Sequence, residues 1–108
     1  MQTGEIVLIP FPYAELTNVK VRPAVTVAIT KDVHKDIIVC AISSVVPKKL
    51  TECEIALTPD KINNLRVKSV IKVDRIVTLK AADIIANIGK LSSPDLSTFK
   101  KTFKGLVD

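Results

Sequence analysis

Apolar and polar positions along the chain fall into short blocks separated by prolines and turn residues. Glu5-Ile6-Val7-Leu8-Ile9 is an apolar run closed by Pro10-Phe11-Pro12, which predicts a strand ending where two prolines remove backbone donors. Residues 13–21 carry no clear period and predict a long surface loop, the kind of segment that often carries function. Arg22-Pro23-Ala24-Val25-Thr26-Val27-Ala28-Ile29 resumes a β pattern, with Pro23 fitting only at the first residues of a strand or on an edge. The polar cluster 30–36 then turns the chain into the apolar run 37–42, which predicts a hairpin whose second strand ends at Ser43-Ser44.

The second half continues in short blocks. Residues 45–51 contain Pro47-Lys48-Lys49, a basic loop, and Glu52-Cys53-Glu54-Ile55-Ala56-Leu57 alternates like a half-buried strand. Thr58-Pro59-Asp60 and Asn63-Asn64 are turn material. Residues 69–77 predict another strand, kinked near Asp74, and residues 81–85 a short helix before Ile88-Gly89-Lys90-Leu91. A helix follows near the C-terminus, with Ser93 expected at the N-cap, Pro94 at the first helical position and Asp95 at the positive end of the dipole. Leu96, Phe99, Phe103 and then Leu106 or Val107 line one face, with Lys100, Lys101 and Lys104 off it.

Several short strands in a meander with one terminal amphipathic helix predict a mainly β (α+β) fold, a small, strongly curved or barrel-like antiparallel sheet. Composition agrees: 13 isoleucines and 14 valines stand against 3 glycines and no tryptophan, a β-branched excess that favours pleated strands. The 108 residues, 47% of them apolar and 25% charged, fit one domain spanning 1–108, with enough burial to need neither disulfide nor structural metal. No apolar run approaches the ~18 residues of a transmembrane helix, and no basic region precedes an apolar one at the start. A soluble cytoplasmic protein is expected, in no contact with a membrane.

Charge changes the picture modestly. Sixteen Lys plus Arg against 11 Asp plus Glu give +5 and a pI near 9.4, a hint toward nucleic acid or an acidic protein partner that a lysine-rich surface also explains. Cys40 and Cys53 sit in no metal-ligand spacing; Cys40 reads as a small buried hydrophobe, and no disulfide is expected. GxGxxG, P-loop, GxSxG and HExxH motifs are absent. The single histidine, His34, lies among Lys31, Asp32, Lys35 and Asp36 and reads as an exposed turn residue. Glu52 and Glu54, two apart on the expected strand, read as a solvent-facing pair.

Two positions stand out by placement. Arg22 closes the long first loop, and Pro23 after it restrains Arg22 to extended backbone, a stiff mount suited to phosphate recognition. Ser43 and Ser44 mark the exposed end of an apolar strand. In an antiparallel hairpin the start of one strand lies beside the end of the next, so Arg22 and Ser43 are expected close together. From spacing alone the favoured reading is an ordinary surface arginine and two turn-forming serines.

Gly4-Glu5-Ile6-Val7, Pro10-Phe11-Pro12, Arg22-Pro23-Ala24-Val25, Ala41-Ile42-Ser43-Ser44 and Ile88-Gly89-Lys90-Leu91-Ser92 occur in an order that resembles the MazF/PemK toxin family over nearly the whole chain. The resemblance implies an SH3-like curved antiparallel β-barrel with a C-terminal helix, and a homodimer. It implies a toxin that cleaves single-stranded RNA at short sequences without metal or other cofactor, and an antitoxin whose acidic tail occupies the RNA groove. Carried over residue by residue, Arg22 matches the family's catalytic arginine, and Ser43 the position of its catalytic threonine or serine. Lys20, Pro23, Ser44, Lys48 and Lys49 lie in loops that resemble its RNA-contacting loops. Glu5 stands where the family more usually has Asp, and Asp74-Arg75-Ile76-Val77-Thr78 matches only loosely its Asp-Gln-Ile-Arg-Thr segment.

The chemistry so implied uses the nucleophile of RNA itself, the ribose 2′-hydroxyl, and leaves the general base open between Arg22 in an unusual environment and His34 contributed by a second subunit. Two other functions compete. The CcdB family of gyrase-poisoning toxins shares the fold and acts through its C-terminal helix. A basic RNA-binding module without catalysis is the other, although Phe11 and Tyr13 are the only aromatics outside the helix.

Overall fold

The computed structural model describes residues 1–11 and 20–107. Six strands form one antiparallel sheet: β1 (Glu5–Phe11), β2 (Lys20–Ile29), β3 (Ile37–Ser43), β4 (Glu54–Leu57), β5 (Ser69–Leu79) and β6 (Ala86–Lys90), in the spatial order β4-β5-β3-β2-β1-β6. A 3-10 turn at Ala81–Asp83 precedes β6, and one helix, α1 (Ser93–Lys104), follows it. The expected loop at 13–21 falls mostly outside the described residues; Lys20 and Val21, expected in it, belong to β2.

Both strand prolines sit where a missing donor costs nothing. β1 runs on through Pro10, two residues past the predicted end, because β6 pairs with β1 only as far as Leu8. The Leu8 carbonyl points to the β6 side, accepting from the Ile85 N–H, so Pro10, two residues on, faces that same side beyond the last β6 partner. Pro23 pairs with Leu8 on one side, while the β2–β3 ladder ends one residue away at Ala24↔Ala41.

Three bulges curl the sheet. Val27 is the extra residue of β2 against β3, Ile88 that of β6 against β1, and Val73-Asp74-Arg75 are extra in β5 between the pairs Ala41↔Lys72 and Cys40↔Ile76. The last is the kink expected near Asp74. There the Val73 N–H donates to the Cys53 carbonyl, and its own carbonyl accepts the Cys40 thiol at 3.3 Å. Cys40 is fully buried, and desolvation pushes its thiol up to about 12; Cys53 is likewise a free thiol.

Alternation along the curled strands sends side chains to two cores. Ile6, Val25, Cys40, Ile42, Ile55, Leu57, Ile71 and Val73 meet Leu91 and Phe99 on one face; Val7, Ile9, Ala24, Ile37 and Val39 pack on the other. α1 closes the first core with Phe99, buried, supported by Leu96, Phe103 and Leu106, whereas Val107 is exposed. Its N-cap is Ser92 rather than Ser93: the Ser92 Oγ accepts from the Asp95 N–H at 3.4 Å. The helix must start there because Leu91 is buried and tied by its N–H to the Gly4 carbonyl at 2.8 Å. β4 is shorter than predicted, since Thr51 and Glu54 exchange hydrogen bonds across a turn that takes up Glu52 and Cys53. Glu52 and Glu54 therefore do not share a strand face; Glu54 is largely covered and pairs with Lys72 across the ladder, Oε2 to Nζ 3.0 Å.

β4 and β6 are the two edges of the sheet, and the segment between β4 and β5 bridges them. Its hub is Asn63, a fully buried amide. Asn63 Oδ1 accepts from the Asp60 and Leu65 N–H groups, both at 3.0 Å, and Nδ2 donates to the Thr58 carbonyl at 2.9 Å. Asp60 Oδ1 in turn accepts from the Ile62 and Asn63 N–H groups. Asn64, at φ 54°, donates Nδ2 to the Ile88 carbonyl at 2.7 Å, and the Ile62 carbonyl accepts from the Lys90 N–H. This contact is so close that a Cβ at Gly89 would lie 2.5 Å from the Ile62 carbonyl oxygen and 2.9 Å from that of Asn63.

Gly89→Ala must push β6 and this bridge apart and is expected to lower stability by about 1–3 kcal/mol. Asn63→Ala strands two N–H groups and a carbonyl and is expected to lower it by about 2–4 kcal/mol. Urea unfolding of both variants measures this; a loss within 0.5 kcal/mol of zero for either contradicts the bridge's role. The Thr51 N–H and then Lys72 hold the Glu54 carboxyl below its ordinary value of 4.5. Its contribution is then present above that value and lost as pH falls through the folded pKa. The stability gap between wild type and Glu54→Gln should accordingly narrow as pH drops from 7 to below 4; a gap independent of pH contradicts the assignment.

Candidate nucleic-acid groove

The bridge does more than tie two edges together. Beyond Asn63 the chain runs over the curled sheet, and a groove of about 670 Å³ opens between the two. Its sheet side is Leu8 of β1, Val21 and Pro23 of β2, Ile42 of β3 and Ile88 of β6; its opposite wall is Asn64–Val67. The floor is apolar. The charged residues of the lining are Lys20, Arg22 and Arg66, with no Asp or Glu among the described lining residues. A concave apolar floor with cations at its margin suits a flat, apolar-faced group carrying negative charge.

Arg22 is held as the sequence suggests, on extended backbone before Pro23, paired with Ile9 of β1 and half-buried. Ser43 is the last residue of β3, paired with Val70 and half-buried. Continued past the last β2–β3 pair, Ala24↔Ala41, the register brings Arg22 and Ser43 to facing positions on the side of the sheet that carries Ile9 and Ala24, opposite to that of Leu8, Pro23 and Ile42, so Arg22 meets the groove at its rim and not on its floor. Ser43 Oγ accepts from the Val45 N–H at 3.1 Å, which orients the hydroxyl and leaves its proton to donate.

The other sequence candidates divide. Lys20, exposed at the start of β2, together with Pro23 and the exposed Ser44, lines the groove with Arg22, while Ser43 stands one residue outside the lining. Lys48 and Lys49 are exposed on the loop between β3 and β4 and do not line it. His34 is exposed in the β2–β3 turn, where Asp32 Oδ1 accepts from the His34 and Lys35 N–H groups and from Thr30 Oγ1. Thr30 and these N–H groups hold the Asp32 carboxyl below its usual range. Among the described residues, no three His, Cys, Asp or Glu side chains come together as a metal site, and no helix is long and apolar enough to cross a membrane.

Sequence reasoning missed the far wall. Leu65, Arg66 and Val67 follow turn residues and precede β5 without periodicity, so nothing local marks them; the one available signal is Asn63-Asn64, a pair whose amides can fasten a loop.

A sequence model of the PemK-like, MazF-like toxins of type II toxin–antitoxin systems matches residues 2–107. Among solved structures, the chain is similar to Mycobacterium tuberculosis toxin MazF-mt6, at 19% identity and a TM-score of 0.70 over 96% of each chain. It is also similar to an endoribonuclease in complex with its cognate antitoxin from a mycobacterial species, at 11% identity and a TM-score of 0.68, covering 97% of this chain and 92% of that one. A search of curated protein sequences gave no significant match. The curled sheet with its terminal helix is thus the fold of those toxins, and a family match over nearly the full length decides membership: the chain belongs to the PemK-like, MazF-like toxins of type II toxin–antitoxin systems.

Proposed function

We propose that this toxin is an endoribonuclease that cuts single-stranded RNA at short sequences, using Arg22 and Ser43 on the reacting phosphate and needing no metal. The observation that carries this reading is the cationic margin of the apolar groove, Lys20 and Arg22 with Arg66 opposite, in a chain of the toxin family. Its nucleophile belongs to the substrate. The ribose 2′-oxygen attacks the adjacent phosphorus in line, the bond from phosphorus to the 5′-oxygen breaks, the 2′-hydroxyl proton leaves and the 5′-oxygen gains one. The products are a 2′,3′-cyclic phosphate and a 5′-hydroxyl.

For such a step the protein supplies position and charge. The Arg22 guanidinium forks onto the non-bridging oxygens, whose negative charge concentrates in the pentavalent state, and the Ser43 hydroxyl, oriented by the Val45 N–H, donates to the same phosphate. Lys20, Pro23 and Ser44 receive the adjoining strand along the groove, and Lys48 and Lys49 draw more distant phosphates by their exposed charge. An acidic segment of a cognate antitoxin would compete for the same cations. Two such chains pair as a homodimer in this reading.

End-labelled single-stranded RNA of many sequence contexts, incubated with the protein in EDTA, tests the reading. Discrete fragments with 5′-hydroxyl ends are expected from wild type, none from Arg22→Ala, and about 100-fold slower cleavage from Ser43→Ala. Full activity in the Arg22 variant contradicts the site; an intact RNA pool with wild type, together with gyrase inhibition, moves the function to gyrase poisoning.

A further inference from the structure

We infer that Arg66, on the wall opposite the sheet, is a second phosphate contact of the groove, and that a single unstacked nucleotide next to the reacting phosphate spans the floor between Arg22 and Arg66. The inference deepens the proposed ribonuclease reading and rests on it, because that reading places a phosphate at Arg22 and the strand must continue from there. Three observations carry it. The basic residues of the lining occur on both sides, Lys20 and Arg22 at the rim on β2 and Arg66 on the wall. Between them lies the apolar floor, and the wall adds Leu65 and Val67, the latter 54% exposed, as surface for a base's flat face. The wall is built before any ligand arrives: Asn63 accepts the Leu65 N–H, Asn64 is tied to the Ile88 carbonyl, and Gly89 lets β6 approach. The backbone that carries the exposed Arg66 is therefore fixed on its N-terminal side, and little backbone ordering is lost when a strand enters.

Arg66 binds and positions in this scheme; it does not touch the reacting phosphate. The test uses fluorescence anisotropy with a random-sequence 2′-O-methyl RNA 12-mer, which lacks the nucleophile and reports binding without cleavage, titrated at several salt concentrations. Arg66→Gln is expected to raise Kd about tenfold and to flatten the slope of log K against log salt by about 0.7, one phosphate on a single strand. Lys61→Gln, the same charge change on the same bridge but outside this groove, is expected to move neither. Cleavage of ordinary RNA at saturation should separate the roles, with Arg66→Gln raising KM while kcat stays within threefold. Unchanged binding in a folded Arg66→Gln protein, an equal effect of Lys61→Gln, or no binding by wild type overturns the inference. Loss of poly-glutamate binding with RNA binding intact also overturns it and assigns the wall to an acidic polypeptide. Wild type that binds through Arg66 yet leaves RNA uncut fails the ribonuclease reading alone.

Discussion

One buried amide organises the part of this molecule that forms the groove. Asn63 uses both ends of its side chain, accepting from Asp60 and Leu65 and donating to Thr58, and so turns the connection between β4 and β5 into a rigid bridge. An unpaired amide at a fully buried position would cost on the order of 1–3 kcal/mol per lost partner, so the bridge either forms whole or not at all. Because it then lies against β6 at Gly89, the two sheet edges are held together by a loop where a closed barrel would use a ladder. The groove exists because that bridge stands off from the sheet on the other side.

The sheet contributes curvature and a mount. Bulges at Val27, at Val73-Asp74-Arg75 and at Ile88 bend the strands toward one another. Two prolines occupy positions where the neighbouring ladder has ended, so β1 and β2 carry their pairing past the point where β6 and β3 stop. The overhang beyond those ladders carries Lys20 and Arg22, half-released from the sheet but fixed in backbone direction, a combination suited to holding a phosphate.

Much of this was legible in the chain. β-branched runs marked β1, β2, β3 and β5, and the heptad-like spacing of Leu96, Phe99 and Phe103 marked the helix, because each reflects a local rule of side-chain direction. Boundaries failed where tertiary partners decide them. Pro10 remains in β1 only because β6 has ended, Ser92 takes the cap from Ser93 because Leu91 is anchored to Gly4, and Glu52 leaves β4 because Thr51 and Glu54 close a turn. That Arg22 and Ser43 come to facing positions just beyond the β2–β3 ladder followed from hairpin geometry. The wall of Leu65, Arg66 and Val67 did not, since it owes its place to a buried side chain and a close approach to residues more than twenty positions away.

In the proposed function, the groove between the sheet and the Asn63 bridge receives single-stranded RNA. The most direct measurement is amide chemical-shift mapping of the 15N-labelled protein titrated with a 2′-O-methyl RNA oligonucleotide. Shifts are expected at Val21, Arg22, Ser44 and Leu65 to Val67, from both sides of the groove, with Ile76 to Thr78 on the far strand segment unmoved. Shifts confined to α1, or centred on Ile76 to Thr78 with the groove silent, would contradict it.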